Sequence, residues 1–161
     1  RRQKLHQEAN GLHDVYAATL DRISRQRGDK PRLGMEVLLW VSLAQRPLSV
    51  SELCDALGVE IGSADFNTEN IPPIQTLLGS CLGLVTVDKE TSRVRLIHST
   101  LREYLQAHTT LFDNGHAKIA EACLTYLNFS AVRALPRSME TAPVNMPFFI
   151  YTSYHWGYHA G

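Results

Sequence analysis

RVRLIHSTLREYL, residues 93–105, changes its hydrophobic period halfway along, and that change decides how the chain is read. Val94 and Leu96 alternate with Arg93, Arg95 and Ile97 at the two-residue period of a strand with one buried face, and His98 closes the run. From Ser99 the spacing becomes helical, with Leu101, Tyr104, Leu105 and His108 on one face. Thr100 and Glu103 stand three apart at the changeover, which predicts a capping box: the hydroxyl accepts a backbone N–H while the carboxylate reaches back. His98 is thereby set beside a helix N-terminus, where unpaired N–H groups and the positive dipole end favour an anion.

Working outward, Leu84 to Val87 is a β-branched strand, Asp88 to Ser92 a polar turn, and Val94 to Ile97 the return strand of a hairpin. Before it, Ile74, Leu77, Leu78 and Cys81 mark an amphipathic helix that Gly83 ends, preceded by a polar loop over 62–73. Leu53, Ala56 and Leu57 predict a short helix that Ser49 or Ser51 can cap, with Glu52 and Asp55 in its first turns and Gly58 as its stop. Residues 33–44 are nearly apolar all round from Val37 to Val41, the pattern of a central core helix, and Pro31 is expected to break the chain before it. Leu12, Val15, Tyr16, Thr19 and Ile23 share one face of a first helix, opposite Asp14, Asp21, Arg22 and Arg25, and Gly28 closes it.

Three helices followed by a β-hairpin is the order of a winged-helix domain, so the expected class is mainly α with a hairpin wing and flanking helices. Past Gly115, Ile119, Ala120, Cys123, Leu124 and Leu127 predict a further helix. Pro136, Pro143 and Pro147 delimit an irregular linker, and Phe148 to His159 reads as a last helix rich in aromatic residues. The expected organisation is a lead-in helix and linker over 1–32, the winged helix over 33–112, and over 113–161 a helical extension that starts a following helical or repeat region. The polar start at Arg1, without a methionine, and the stop just after an aromatic segment are read as the limits of a module excised from a longer protein.

Composition narrows the function. The 161 residues carry 16 basic and 16 acidic side chains, so no overall charge draws the chain to nucleic acid or anionic lipid. Cys54, Cys81 and Cys123 are far apart and lack ligand spacing, as expected of buried thiols in a reducing compartment. No apolar run approaches the roughly 18 residues of a membrane span, and no signal segment opens the chain. There is no glycine-rich phosphate loop with lysine, no acidic strand end for magnesium and no nucleophile elbow, so neither nucleotide hydrolysis nor serine chemistry is expected.

LLWVSLAQRPLSVSELCDAL (38–57), SCLGLVTVD (80–88) and VRLIHSTLREYL (94–105) together resemble the winged-helix region that follows the NACHT domain in STAND-type regulatory NTPases. The resemblance is strongest to fungal proteins that continue into ankyrin repeats. GLHDVYAATLDRI looks like the lead-in helix of that region, and ACLTYL with YTSYHWGYHA like the helices before the repeats, so nearly the whole chain is covered. The resemblance implies a non-catalytic regulatory module in cytoplasmic signalling such as innate immunity. Its partners would be the adjacent nucleotide-binding domain and the C-terminal repeats of the same chain, with self-association on activation. No cofactor is implied for this segment; ADP or ATP is implied for the parent protein.

In that family the strand-to-helix junction carries a methionine-histidine-aspartate motif whose histidine touches the phosphate of bound ADP. The histidine carries over to His98; Ile97 replaces the methionine, and Ser99 stands where the motif has aspartate. The implied site is thus His98 with Ser99 and Thr100. Position alone also admits a strand-end histidine that bonds a backbone carbonyl and fills space, and both readings stand at this point.

Two alternatives belong to other classes. Winged helices also bind DNA through the third helix, but ENIPPIQTLLGSCLG offers only Asn70 and Gln75 for base edges and no cation, and Lys89, Arg93 and Arg95 of the wing are offset by Asp88 and Glu90. The basic run Arg22 to Arg32 is the ordinary solvated end of a helix. The other alternative is a protein-interaction adaptor using Tyr154, Trp156 and Tyr158. His155 and His159 have the four-residue spacing of two metal ligands but lack a third, so aromatic packing is the expected role of this segment. No metal, nucleic-acid or membrane partner is expected.

Overall fold

The computed structural model describes residues 2–138 and 141–161. Helix α1 spans Arg2–Ser24, α2 Lys30–Leu43, α3 Val50–Gly58 and α4 Ile74–Ser80; strands β1 (Val85–Val87) and β2 (Val94–Leu96) follow, then α5 (Ser99–Ala107). The helix triad α2, α3, α4 with its antiparallel hairpin is the winged-helix order expected from the sequence.

Helix α2 is the hub because Val37, Leu38, Leu39, Trp40 and Val41 bury all its sides. Pro31 does not separate it from α1 but lies in its first turn, where the missing N–H has no intrahelical partner to lose. Ser49, not Ser51, caps α3: its hydroxyl accepts the Glu52 N–H at 3.2 Å and the Glu52 carboxylate accepts the Ser49 N–H at 2.9 Å. In the wing, Val85 faces Leu96 and Val87 faces Val94. The chain entering α3 runs beside β2, with the Val94 N–H donating to the Leu48 carbonyl at 2.8 Å and the Val50 N–H to the Ser92 carbonyl at 3.0 Å.

Two local expectations are corrected. His98 is the residue at which the chain enters α5, so Thr100 and Glu103 lie one and four residues past the first helical position, out of reach of a capping box. Thr100 turns its hydroxyl inward instead, 2.7 Å from the Tyr16 hydroxyl of α1. On α1, Tyr16, Thr19, Leu20 and Ile23 are buried while Leu12 and Val15 stay exposed, because only the C-terminal half of the helix reaches the core.

Helix α6 (Gly115–Leu127), the single turn α7 (Ser130–Arg133) and α8 (Phe149–Ala160) complete the chain. α6 and α8 lie antiparallel: His116 and His159 stack at one end and the Tyr126 ring meets Phe148 at the other. α8 also returns to α2, setting Phe148 and Tyr151 edge-on to Trp40 at 5.5 and 6.3 Å, so the segment after 113 shares its core with the preceding helices. All three cysteines are buried and free, and burial pushes the Cys81 and Cys123 thiols up to about 12, which makes them inert packing groups.

Candidate functional site

The junction between β2 and α5 opens on a small cleft of about 150 Å³. Val41, Pro47, Val94 and Leu96 form its apolar floor; Arg95, His98, Ser99 and Arg102 form its rim. These four come together because β2 presents Arg95 on its outer face and α5 begins immediately after His98, so Ser99 and Arg102 share the first-turn face three residues apart. His98 and Ser99 are exposed, and the His98 imidazole makes no hydrogen bond to another described residue. Both arginines are lightly tethered, Arg95 to Asp88 at 3.3 Å and Arg102 to the Ser42 carbonyl at 3.4 Å. Chemically the rim offers an imidazole, a hydroxyl, two guanidinium groups and the open N–H groups of α5, all donors suited to an anion. Of the expected trio, His98 and Ser99 lie on this rim and Thr100 is withdrawn to Tyr16.

The wing beside it is fixed by a charge cluster that sequence reading did not assemble. Arg46 holds Glu52 through two bonds of 2.6 and 2.9 Å, Arg93 approaches the same carboxylate at 3.5 Å, and the Arg46 guanidinium lies 5.3 Å from the centre of the Tyr151 ring. Burial works against the Glu52 charge, but the bonds from Arg46 and Ser49 outweigh it and hold the carboxyl below its ordinary range. Glu52 was visible as a helix cap; Arg46 sits in a turn six residues away and gave no periodic signal.

Asp55, on the same helix, has no ion-pair partner among the described residues, and burial pushes its carboxyl up to about 6. A folded-state value above the unfolded 3.8 means that its contribution to stability is fully present below that value and is lost as pH rises through about 6. Asp55→Asn is therefore expected to raise the unfolding free energy at pH 7.5 by about 1–3 kcal/mol and to leave it nearly unchanged at pH 4. Urea unfolding at the two pH values checks this; an equal effect at both would show that ionisation of Asp55 is not the cost.

Helix α8 exposes Tyr154 (79%), Tyr158 (59%) and Trp156 (40%). Ile150 and Tyr154 border a groove of about 830 Å³ between α7 and α8, with Val132 and Leu135 opposite. His155 and His159 do not act together: His159 is buried and bonds His116 and Tyr151, leaving His155 on the rim of the Tyr151 ring. No group of three or more residues able to hold a metal ion occurs among the described residues, and none of their helices is long and apolar enough to cross a membrane.

The sequence profile of one family, described as the winged helix domain of GPI inositol-deacylase, matches residues 22–120. No curated protein and no solved structure matches the chain.

Proposed function

As a member of the GPI inositol-deacylase winged helix domain family, the chain is, we propose, a non-catalytic regulatory winged-helix module of a STAND-type NTPase. It packs on the neighbouring NACHT nucleotide-binding domain and couples ADP or ATP occupancy there to domain rearrangement. The observation that carries this reading is the rim at the β2–α5 junction: four donor groups face outward around a cleft too small to enclose a nucleotide. Such a rim is half a site, suited to a phosphate held mainly by another domain. For the coupling to work the contact must differ between nucleotide states, since a module that binds both equally shifts neither. His98 donates to the terminal phosphate of ADP in the closed state, and Arg102 or Arg95 supplies the charge that an aspartate at position 99 does not organise.

His98→Ala in the full-length protein is expected to speed ADP release by about tenfold, the loss of one hydrogen bond to a charged group, and to favour the open, self-associating state. ADP dissociation followed by a fluorescent analogue measures it. An unchanged rate together with unchanged oligomerisation would take His98 out of the mechanism.

A DNA-binding role is the weaker reading. Arg93 and Arg95 of the wing are engaged by the Pro47 carbonyl, Glu52 and Asp88, and the exposed face of α4 is short and uncharged, leaving too few cations for the several phosphate contacts that duplex binding requires. The exposed aromatic face of α8 is compatible with a second protein contact, in keeping with repeats or a partner docking at that end.

A further inference from the structure

His116 and His159 face each other through their Nδ1 atoms at 2.9 Å, and the Nε2 atom of His159 is 2.8 Å from the Tyr151 hydroxyl. That hydroxyl also accepts the backbone N–H of Gln45 at 3.0 Å. Two facing ring nitrogens at this distance hold one proton between them. Because the Tyr151 oxygen accepts from Gln45, its own proton is directed to the Nε2 lone pair of His159; His159 is then the Nδ1–H tautomer and His116 the Nε2–H tautomer. The chain of bonds runs in one direction, Gln45 to Tyr151 to His159 to His116, from the turn after α2 to the first turn of α6.

One added proton reverses part of this chain wherever it lands. With three protons on the two rings and one of them between the Nδ1 atoms, the remaining two must occupy both Nε2 atoms. His159 Nε2 becomes a donor, Tyr151 must accept from both Gln45 and His159, and the phenolic proton is left without an acceptor in a fully buried place. We propose that the His116–His159 pair is a proton-operated latch: neutral, it fastens the last turn of α8 to α6, and singly protonated, it releases that turn and re-aims the exposed Tyr158 on it.

The groups around the pair set its threshold. Tyr151, His155 and Tyr158 of α8 face it, while Arg46 from the turn after α2, Glu52 from α3 and Cys123 from α6 act on it through Tyr151 and His155. Burial, with His116 and His155 nearby, lowers the His159 imidazole to about 4, while the exposed ring of His116 gives protons a way in. The C-terminal dipole of α8 favours charge on His159 and works against that lowering.

Imidazole nitrogen shifts by NMR on the 161-residue chain test the assignment directly. The expected result at pH 7.5 is His159 as the Nδ1–H tautomer and His116 as the Nε2–H tautomer. The His159 ring should titrate with a midpoint at least a pH unit below the ordinary value of about 6.5. Below that midpoint, amide exchange at 157–160, corrected for its intrinsic pH dependence, should speed up about tenfold or more. Tyr151→Phe removes the group that protonation orphans, so the midpoint should rise by about one unit toward the ordinary value. The opposite tautomers at neutral pH, a His159 titration at the ordinary value, exchange that ignores the titration, or a midpoint unmoved in the Phe variant would each overturn the latch.

Discussion

Glu52→Ala is expected to lower the unfolding free energy by about 3 kcal/mol, the low end of what breaking a buried ion pair costs, since both guanidinium partners retain access to water. The carboxylate performs three tasks at once. It closes the capping box on α3, it neutralises Arg46 beneath the Tyr151 ring, and it reaches Arg93 at the foot of the wing. Alanine removes the cap, worth about 1 kcal/mol, and leaves Arg46 and the Ser49 N–H short of an acceptor. Glu52→Gln keeps an acceptor for Ser49 and loses the charge, so its loss should be roughly half as large. Because the folded-state value of Glu52 is lowered, its stabilisation is present above the ordinary carboxylate range and fades as pH falls through the depressed value. Thermal and urea unfolding read the loss, and exchange at the Val94 amide reads the wing. A wing amide unchanged in exchange and a loss under about 1 kcal/mol would sink this account.

Gly34→Val should destabilise the fold by about as much, through a different mechanism. A Cβ at this position of α2 would stand 2.5 Å from the Ser80 carbonyl oxygen and 2.9 Å from Cγ2 of Ile23, where α1, α2 and α4 meet. The carbonyl cannot yield easily, since it is backbone and also accepts from the Gln26 side chain at 2.9 Å. Overpacking of this kind costs about 1–3 kcal/mol, and the β-branched side chain adds to it. Gly34→Ala should lose less, because alanine regains up to about 1 kcal/mol of helix propensity. Gly79→Ala is the control: nothing lies within 4 Å of its Cβ, so stability should hold or rise. Equal stabilities for the Gly34 and Gly79 variants would show that the helix junction has room to adjust.

The Gly34 contact marks the boundary of what the chain reveals unaided. Its glycine reads as a weak spot in an apolar helix, and nothing in the sequence says that Ser80, 46 residues later, presses against it. The Thr100–Glu103 box failed for a related reason: two residues decide where a helix begins, and the strand that delivers His98 settles the entry point before Thr100 can cap. Leu12 and Val15 satisfied the helical period yet stayed outside, since periodicity says which residues share a face but not how far a neighbouring helix extends.

The site divides in the same way. His98 was legible because a change of period and a family motif coincide there. His116 was not: it stands alone on the polar side of its helix, and its importance comes from His159, 43 residues away on an antiparallel neighbour. Arg46 lies in a turn with no periodic pattern around it, and its weight comes from Glu52 and Tyr151 converging on it.

Sequence alone determined the order of helices and wing, most of the apolar residues that form the core and the winged-helix class, because these follow from local periodicity and breakers. Tertiary structure decided which donors share a rim at the β2–α5 junction, which carboxylate is paired and which is stranded, and which histidine is locked into a proton chain. Those outcomes depend on distances between residues far apart in the chain, and burial then fixes their charge state.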